Sequence, residues 1–287
     1  MTAAMEFCLL GPVRVRCGAV DLPVAAGHQR AVLAALLLAG GRVVPADELA
    51  GVLWGAAPPA SARVSVQNYV RRLRQALGEA GRDRIETRPG GYRIQVEAGE
   101  LDVARFEGLA GDVRAAARDG AWDAAAELAR TALALWRGEL LADAGSERLL
   151  RREVPRLAEL RRQVLATRIE ADLQAGRLEE VIAELRVLTA DHPLRERLHG
   201  LLMLALHRAG RPDEALAAYQ QARRVLADQL GTEPGAELQR LQREVLAGTA
   251  GPAGTSAKGG VPRQLPGAVP HWAGRSAELA EIGRAHV

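Results

Sequence analysis

Lysine is nearly absent from this sequence: Lys258 is the one lysine among 38 basic residues, and the other 37 are arginine. With alanine so abundant, this points to GC-rich coding, and an arginine by itself carries little functional information. Cysteine is scarce too. Cys8 and Cys17 are the only two, and a chain of 287 residues buries a sizeable core without staples. Both are expected to be reduced thiols of a cytoplasmic protein. The longest apolar run, "AVLAALLLAG", falls well short of the ~20 residues that cross a bilayer. No basic segment leads into an apolar stretch after Met1, so neither a secretory signal nor membrane association is expected.

Chemical motifs are missing as well. None of the six histidines stands close to a cysteine, and His199 and His207, eight apart on one expected helix, read as a surface coincidence rather than metal ligands. There is no G-x-S-x-G, no cysteine–histidine setting and no phosphate-cradling G-x-x-x-x-G-K-[ST]. Acids in "GELLAD", "DAAAELAR" and "LEEVIAEL" fall at helical spacing and read as solvated faces that pair with arginine. The expectation is a protein with no catalytic residues, no metal and no cofactor. It is not read as an enzyme.

What is present is positive charge gathered in one place. Residues 1–98 hold 12 arginines against 8 acids, whereas the remainder holds 26 basic against 27 acidic residues. Within 61–93 there are 8 arginines and 3 acids, which marks this segment as a candidate contact for a polyanion.

Three regions follow from the patterning. In the first, 1–98, "MEFCLLG", "VRVRCG" and "AVDLPV" alternate like strands of a small antiparallel sheet. A helix is expected from about Gly27 to Ala39, ended by Gly40-Gly41, and a second begins at Pro45 with Asp47 and Glu48 in its first turn. "PPASARVSVQNYVRRLRQALG", 58–78, is the third helix. "RIETRPGGYRIQV" then reads as a β-hairpin about Pro89-Gly90-Gly91. This is the order of a winged helix-turn-helix. The second region, 99–247, is helical throughout and contains a repeat offset by 34 residues, in which Ala171/Ala205, Ala175/Ala209, Gly176/Gly210, Arg177/Arg211, Glu180/Glu214 and Ala183/Ala217 coincide. Small residues at matched positions would let paired helices approach closely, as in tetratricopeptide arrays. "ARDGAWDAAAELARTALALW" reads as a divergent helical hairpin of the same kind. Residues 248–270, rich in Gly, Pro, Ala and Ser, are expected to be a flexible linker, and 271–287 begin a further domain without finishing it. The expected fold class is α+β: an N-terminal winged helix-turn-helix with a wing hairpin, then an all-α tetratricopeptide-like domain.

Wound at 100° per residue, the third helix places Val66, Val70, Leu73 and Leu77 on one stripe. Asn68 and Gln75 lie nearly opposite, flanked by Ser65, Gln67, Arg71 and Arg72, with Arg63 and Arg74 on the shoulders. Arginine suits guanine edges and Asn or Gln suits adenine edges in the major groove, while Ser65 and the shoulder arginines suit phosphates. Arg88 and Arg93 flank the wing tip, where arginine enters a minor groove. Tyr92 reads as a strand-packing residue and Trp54 as core. Val64 faces outward toward a thymine methyl or packs in the first turn.

The segments "HQRAVLAALLLAGGRVVPADELAGVLWG", "PPASARVSVQNYVRRLRQALG" and "IETRPGGYRI" resemble the OmpR-type winged helix of the Streptomyces antibiotic regulatory protein family. "HPLRERLHGLLMLALHRAGRPDEALAAYQQARRVLADQLGTEPGAELQRLQREVL" resembles that family's bacterial transcriptional activation domain. The resemblance covers about 5–247. It implies a sequence-specific activator, commonly of a biosynthetic gene cluster, that binds direct repeats in double-stranded DNA and recruits RNA polymerase through its sigma subunit and core. It implies further that the third helix and wing touch DNA, that "WGAAPPASA" faces polymerase, and that the protein self-associates on DNA as a homo-oligomer through its helical domain. No acidic phosphoacceptor domain precedes the winged helix, so phosphorylation control is not implied. "VPHWAGRSAELAEI" resembles the approach to the nucleotide-binding domain of the family's large members. Ile282–Val287 is what ATC-GGA-AGA-GCA-CAC-GTC, a sequencing-adapter sequence, encodes, so these six residues are expected to be an assembly artefact in a protein that continues. The competing expectation is a helical-repeat scaffold whose basic module docks protein and not DNA.

Overall fold

A computed structural model describes residues 4–248 of the chain. The expected linker beyond Gly248, the segment 271–287 and Ile282–Val287 within it all lie outside the described residues.

The fold is α+β. Strands β1 (Met5–Cys8), β2 (Arg14–Cys17) and β3 (Val20–Asp21) form an antiparallel sheet in chain order. Alternation turns Met5, Phe7 and Val15 inward. Cys8 faces Arg14 and Cys17 faces Met5 across the β1–β2 ladder, so the two thiols are not joined. Helices α1 (His28–Leu38) and α2 (Ala46–Trp54) follow, then α3 (Ala62–Gly81). The wing is β5 (Ile85–Arg88) and β6 (Gly91–Ile94). It is joined by a short strand β4 (Val44–Pro45), in the order β4-β6-β5.

Two boundaries differ from the sequence-based expectation. Pro45 was expected to open α2, but it is extended (φ −59°, ψ 146°) and sits with Val44 in edge strand β4, where a residue without an N–H is tolerated. Gly91 lies opposite Pro45, and any side chain at 91 would collide with the Val44 carbonyl oxygen. The third helix begins at Ala62 and not at Pro58, because a proline drives the residue before it out of helical geometry. It is also broken by Gly78 at φ 62°.

Seven helices complete the described chain: α4 (Asp102–Arg118), α5 (Trp122–Ala134), α6 (Glu147–Gln174), α7 (Leu178–Asp191), α8 (Glu196–Arg208), α9 (Pro212–Leu230) and α10 (Ala236–Leu246). The repeat is visible in its turns. After α4, α6 and α8, Gly120, Gly176 and Gly210 adopt φ of 72°, 79° and 74°. The next N–H then donates back five residues, from Ala121 to Ala116, Arg177 to Asp172 and Arg211 to Leu206. The divergent hairpin therefore shares the turn of the other two. Ala171 and Ala205 are buried as close packing requires, but Ala183 and Ala217 are exposed and bring no helices together. His199 also departs from its surface expectation. It is buried, and its Nε2 lies 2.9 Å from the Pro193 carbonyl oxygen.

Two buried clusters make the interior. One runs from Met5 through both sheets, α1–α3, α4 and α5 to Val164 in α6, and the other runs from Ala166 to Val245. The winged-helix elements thus share one core with α4, α5 and the first half of α6. Polar bonds tighten that junction. The Asp102 carboxylate accepts from the Leu9 N–H at 2.8 Å and the Leu10 N–H at 2.9 Å, and Phe7 N–H donates to the Glu100 carbonyl. The loop between α5 and α6 crosses back over the sheet. Arg137 N–H donates to Leu10, Leu141 N–H donates to Leu9, and Asp143 accepts from Val13 N–H and from Arg30. Ser146 Oγ donates to the Val52 carbonyl at 2.6 Å. Burial pushes the Asp102 carboxyl above the ordinary aspartate range, against the pull of these N–H donors and of Arg137.

Candidate nucleic-acid interface

The inner face of α3 is fastened hydrophobically. Val66, Val70, Leu73 and Leu77 are each at most 1% exposed, at the spacing read from the sequence. Tyr69 adds a polar tie, its hydroxyl 3.0 Å from His28 Nδ1. The His28 ring in turn meets Tyr69 and Trp54 edge-on, each at 5.5 Å between centroids. Trp54 therefore packs partly buried against the core, linking α1, α2 and α3 as expected of a core residue.

The opposite arc stands in solvent. Gln67, Asn68, Arg71, Arg72 and Gln75 are exposed, Ser65 is half-buried, and Val64 is 59% exposed, so it lies on the outer face and not in first-turn packing. Arg71 and Arg72 make no hydrogen bond or ion pair among the described residues. Two adjacent guanidiniums without acids beside them repel one another weakly in water and are ready for a phosphate or a guanine edge.

The remaining arginines differ from free shoulders. Arg63 makes a two-pronged pair with Asp47 of α2, at 2.9 and 2.7 Å, which holds the Asp47 carboxyl below its usual range. Both side chains are well exposed, so a phosphate can compete with Asp47 for Arg63. Arg74 is committed elsewhere. Its Nε and Nη2 donate to the Ile85 carbonyl at 2.9 and 2.7 Å, and Nη2 also reaches Thr87 Oγ1 at 3.0 Å. It clamps the wing to α3.

Glu86 is the functional group that sequence reasoning missed. It accepts from Arg88 at 2.5 Å, from Arg93 at 2.7 Å, and from Gln95. Arg88, then Arg93, hold its carboxyl below the usual glutamate range. The signal was available in the hairpin register: Arg88 faces Gly91 and Thr87 faces Tyr92, which places Glu86 opposite Arg93. Tyr92 is buried and packs in the sheet as expected. Between α3 and the wing runs an open groove of about 600 Å³ lined by Arg71, Gln75, Arg82, Glu86 and Thr87.

Exposed amides and guanidiniums along one helix, beside an arginine-tipped hairpin, can hydrogen-bond base edges and phosphates of a duplex. Nothing in the described residues offers competing chemistry there. Among the described residues, no group of three or more histidine, cysteine or acidic side chains could hold a metal, and no helix is long and apolar enough to cross a membrane.

Comparison with known proteins agrees in order and extent. Residues 101–246 match the bacterial transcriptional activator domain family, and residues 25–94 match the family described as transcriptional regulatory protein, C terminal. Regulatory protein DnrI of Streptomyces peucetius is 39% identical over 250 residues, covering 84% of this chain and 92% of that protein. Regulatory protein AfsR of Streptomyces griseus is 41% identical over 286 residues, and that match takes in 98% of this chain but 29% of AfsR. The chain therefore spans under a third of that relative's length. A solved structure of Mycobacterium tuberculosis EmbR in complex with a low affinity phosphopeptide superposes with a TM-score of 0.82 at 35% identity, covering 85% of this chain and 65% of that one.

Proposed function

Since this chain belongs to the Streptomyces antibiotic regulatory protein family of transcriptional activators, we propose that it binds specific sequences in double-stranded DNA and activates a biosynthetic gene cluster. The observation that carries the reading is the division of α3 into two faces. One is a fully buried valine–leucine stripe, and the other is an exposed arc of Gln67, Asn68, Arg71, Arg72 and Gln75 with the wing alongside. The arc enters the major groove and reads base edges, and Arg88 and Arg93 exchange Glu86 for backbone phosphates of the neighbouring groove. Arg63 does the same with Asp47. Arg74 acts at one remove, by holding the wing at a set distance from the helix.

The helical region 101–246 carries the protein contacts: with RNA polymerase, and with a second copy of the chain on direct repeats. The two copies would sit head to tail, because direct repeats lack a two-fold axis. The reading is a regulator acting in the cytoplasm and not an enzyme, which membership of a family of transcriptional regulators supports.

The test is selection of duplexes from a random pool by the full chain, followed by titration of the enriched and random duplexes at one salt concentration. The reading expects an enriched motif that appears twice in the same orientation. Binding of all duplexes with one affinity would overturn it in favour of a scaffold.

A further inference from the structure

A pocket of about 630 Å³ lies on the helical side of the molecule, far along the chain from α3 and the wing. Its apolar wall comes from Trp136, Leu140, Leu150, Val154, Pro155 and Ala158. Its volume falls within the few hundred to a thousand Å³ usual for small-molecule sites.

Three features at this pocket are not explained by folding. The first is the indole N–H of Trp136, which is buried and has no hydrogen-bond acceptor. Such a donor is costly where it is left unsatisfied. The second is Arg161. Its guanidinium lies 4.7 Å over the Trp136 ring and forms no ion pair among the described residues, in a protein where most arginines do. The third is Pro155, inside α6 and on the pocket wall. It has no N–H to give to the Arg151 carbonyl one turn back, a local cost to the helix. The other charged side chains on the rim are Arg151, paired with Glu147 at 2.8 Å, and Glu139, which is exposed.

We propose that this pocket binds a small aromatic carboxylate. The ring system lies against the apolar wall, where Trp136 presents its face. The carboxylate is held by Arg161, which moves from the indole face to the ligand, and one of its oxygens accepts from the Trp136 N–H at the edge of the ring. A cation balanced between an aromatic face and an incoming anion gives up little on exchange. The pocket wall continues into the loop between α5 and α6, whose Arg137 and Leu141 N–H groups donate to Leu10 and Leu9, just beyond β1. This inference does not depend on the DNA-binding reading.

The probe is 2-naphthoate, with uncharged 2-naphthamide as its partner, titrated into the ¹⁵N-labelled full chain while the indole N–H resonances are followed. The chain has four tryptophans, and the resonance missing from Trp136→Phe identifies the one at the pocket. The expected result is saturable movement of that resonance by naphthoate, with naphthamide much weaker. Arg161→Gln should weaken naphthoate about tenfold or more, as loss of a charge-assisted bond does, and leave naphthamide unchanged. Ala158→Phe should fill the pocket and abolish both, while the other indole resonances keep their positions as a check on folding. Val154→Phe serves the same purpose should that check fail. A stationary Trp136 resonance, equal affinity for the two probes, or undiminished binding in a folded pocket-filled variant would each overturn the proposal.

Discussion

Asn68 and Arg72 are one helical turn apart on the exposed face of α3, and neither is engaged by a side chain among the described residues. Their removal should cost nothing in folding and about 1–3 kcal/mol in binding to the preferred duplex, with little change on random DNA. Titration of Asn68→Ala and Arg72→Ala against both duplexes checks this, and equal losses on both would assign them to the phosphates. Arg88→Ala should weaken binding across all sequences and reduce the salt dependence by about one counterion. Arg74 calls for a different measurement. Because it clamps Ile85 and Thr87, Arg74→Ala should lower the stability of the protein by about 1–3 kcal/mol in a urea titration, before any DNA is added. Residue identity alone could not separate Arg74 from Arg71 and Arg72. All three sit in "RRLR", and only the distance to the wing backbone distinguishes a structural arginine from two free ones.

At the scale of the element, the four-residue stripe of α3 was legible because helical periodicity is local: a 3.6-residue repeat needs no knowledge of what lies opposite. Leu73→Ala should cost about 2–5 kcal/mol, read as a shift in the urea midpoint, because that side chain is fully enclosed. The hairpin was equally legible, since Pro89-Gly90 makes its turn and the turn sets the register, although Gly91, expected within the turn, already belongs to β6. Strand β4 was not. Two residues make no periodic pattern, and Val44-Pro45 becomes a strand only because β6 passes beside it. The repeat was read correctly at its glycine turns, where φ is dictated by the residue itself. It was misread at Ala183 and Ala217, which no neighbouring helix covers among the described residues.

For the molecule as a whole, the shared core between the sheet, α1–α3 and α4–α6 has two consequences. A fragment ended at residue 98 loses Asp102 and the α5–α6 loop, leaving the Leu9 and Leu10 N–H groups unpaired and their side chains uncovered. Its melting temperature should fall well below that of a 1–248 fragment in calorimetry. A stable, cooperatively melting 1–98 fragment would refute this. The second consequence concerns pH. Burial raises the folded-state pKa of Asp102, so the folded protein holds this proton more tightly than the unfolded chain does. Its contribution to stability is full below the unfolded pKa and declines as pH rises through the folded one. From the ordinary aspartate range upward, the stability of the wild type relative to Asp102→Asn should therefore fall with rising pH until the folded group has lost its proton, as urea midpoints would record. Glu48 and Glu159, held below the usual range by Arg42 and Arg162, act with the opposite sign and lose their contribution as pH falls.

The amino-acid order alone determined the helices, the two faces of α3, the hairpin and the glycine turns of the repeat, because each rests on spacing or on the backbone preferences of Gly and Pro within a few residues. Tertiary structure alone decided which arginines are free. An ion pair such as Arg63 with Asp47, the grip of Glu86 on the wing tip, and the Asp102 junction between sheet and helices depend on distances across the fold. Such distances are set by packing, and no local pattern encodes them.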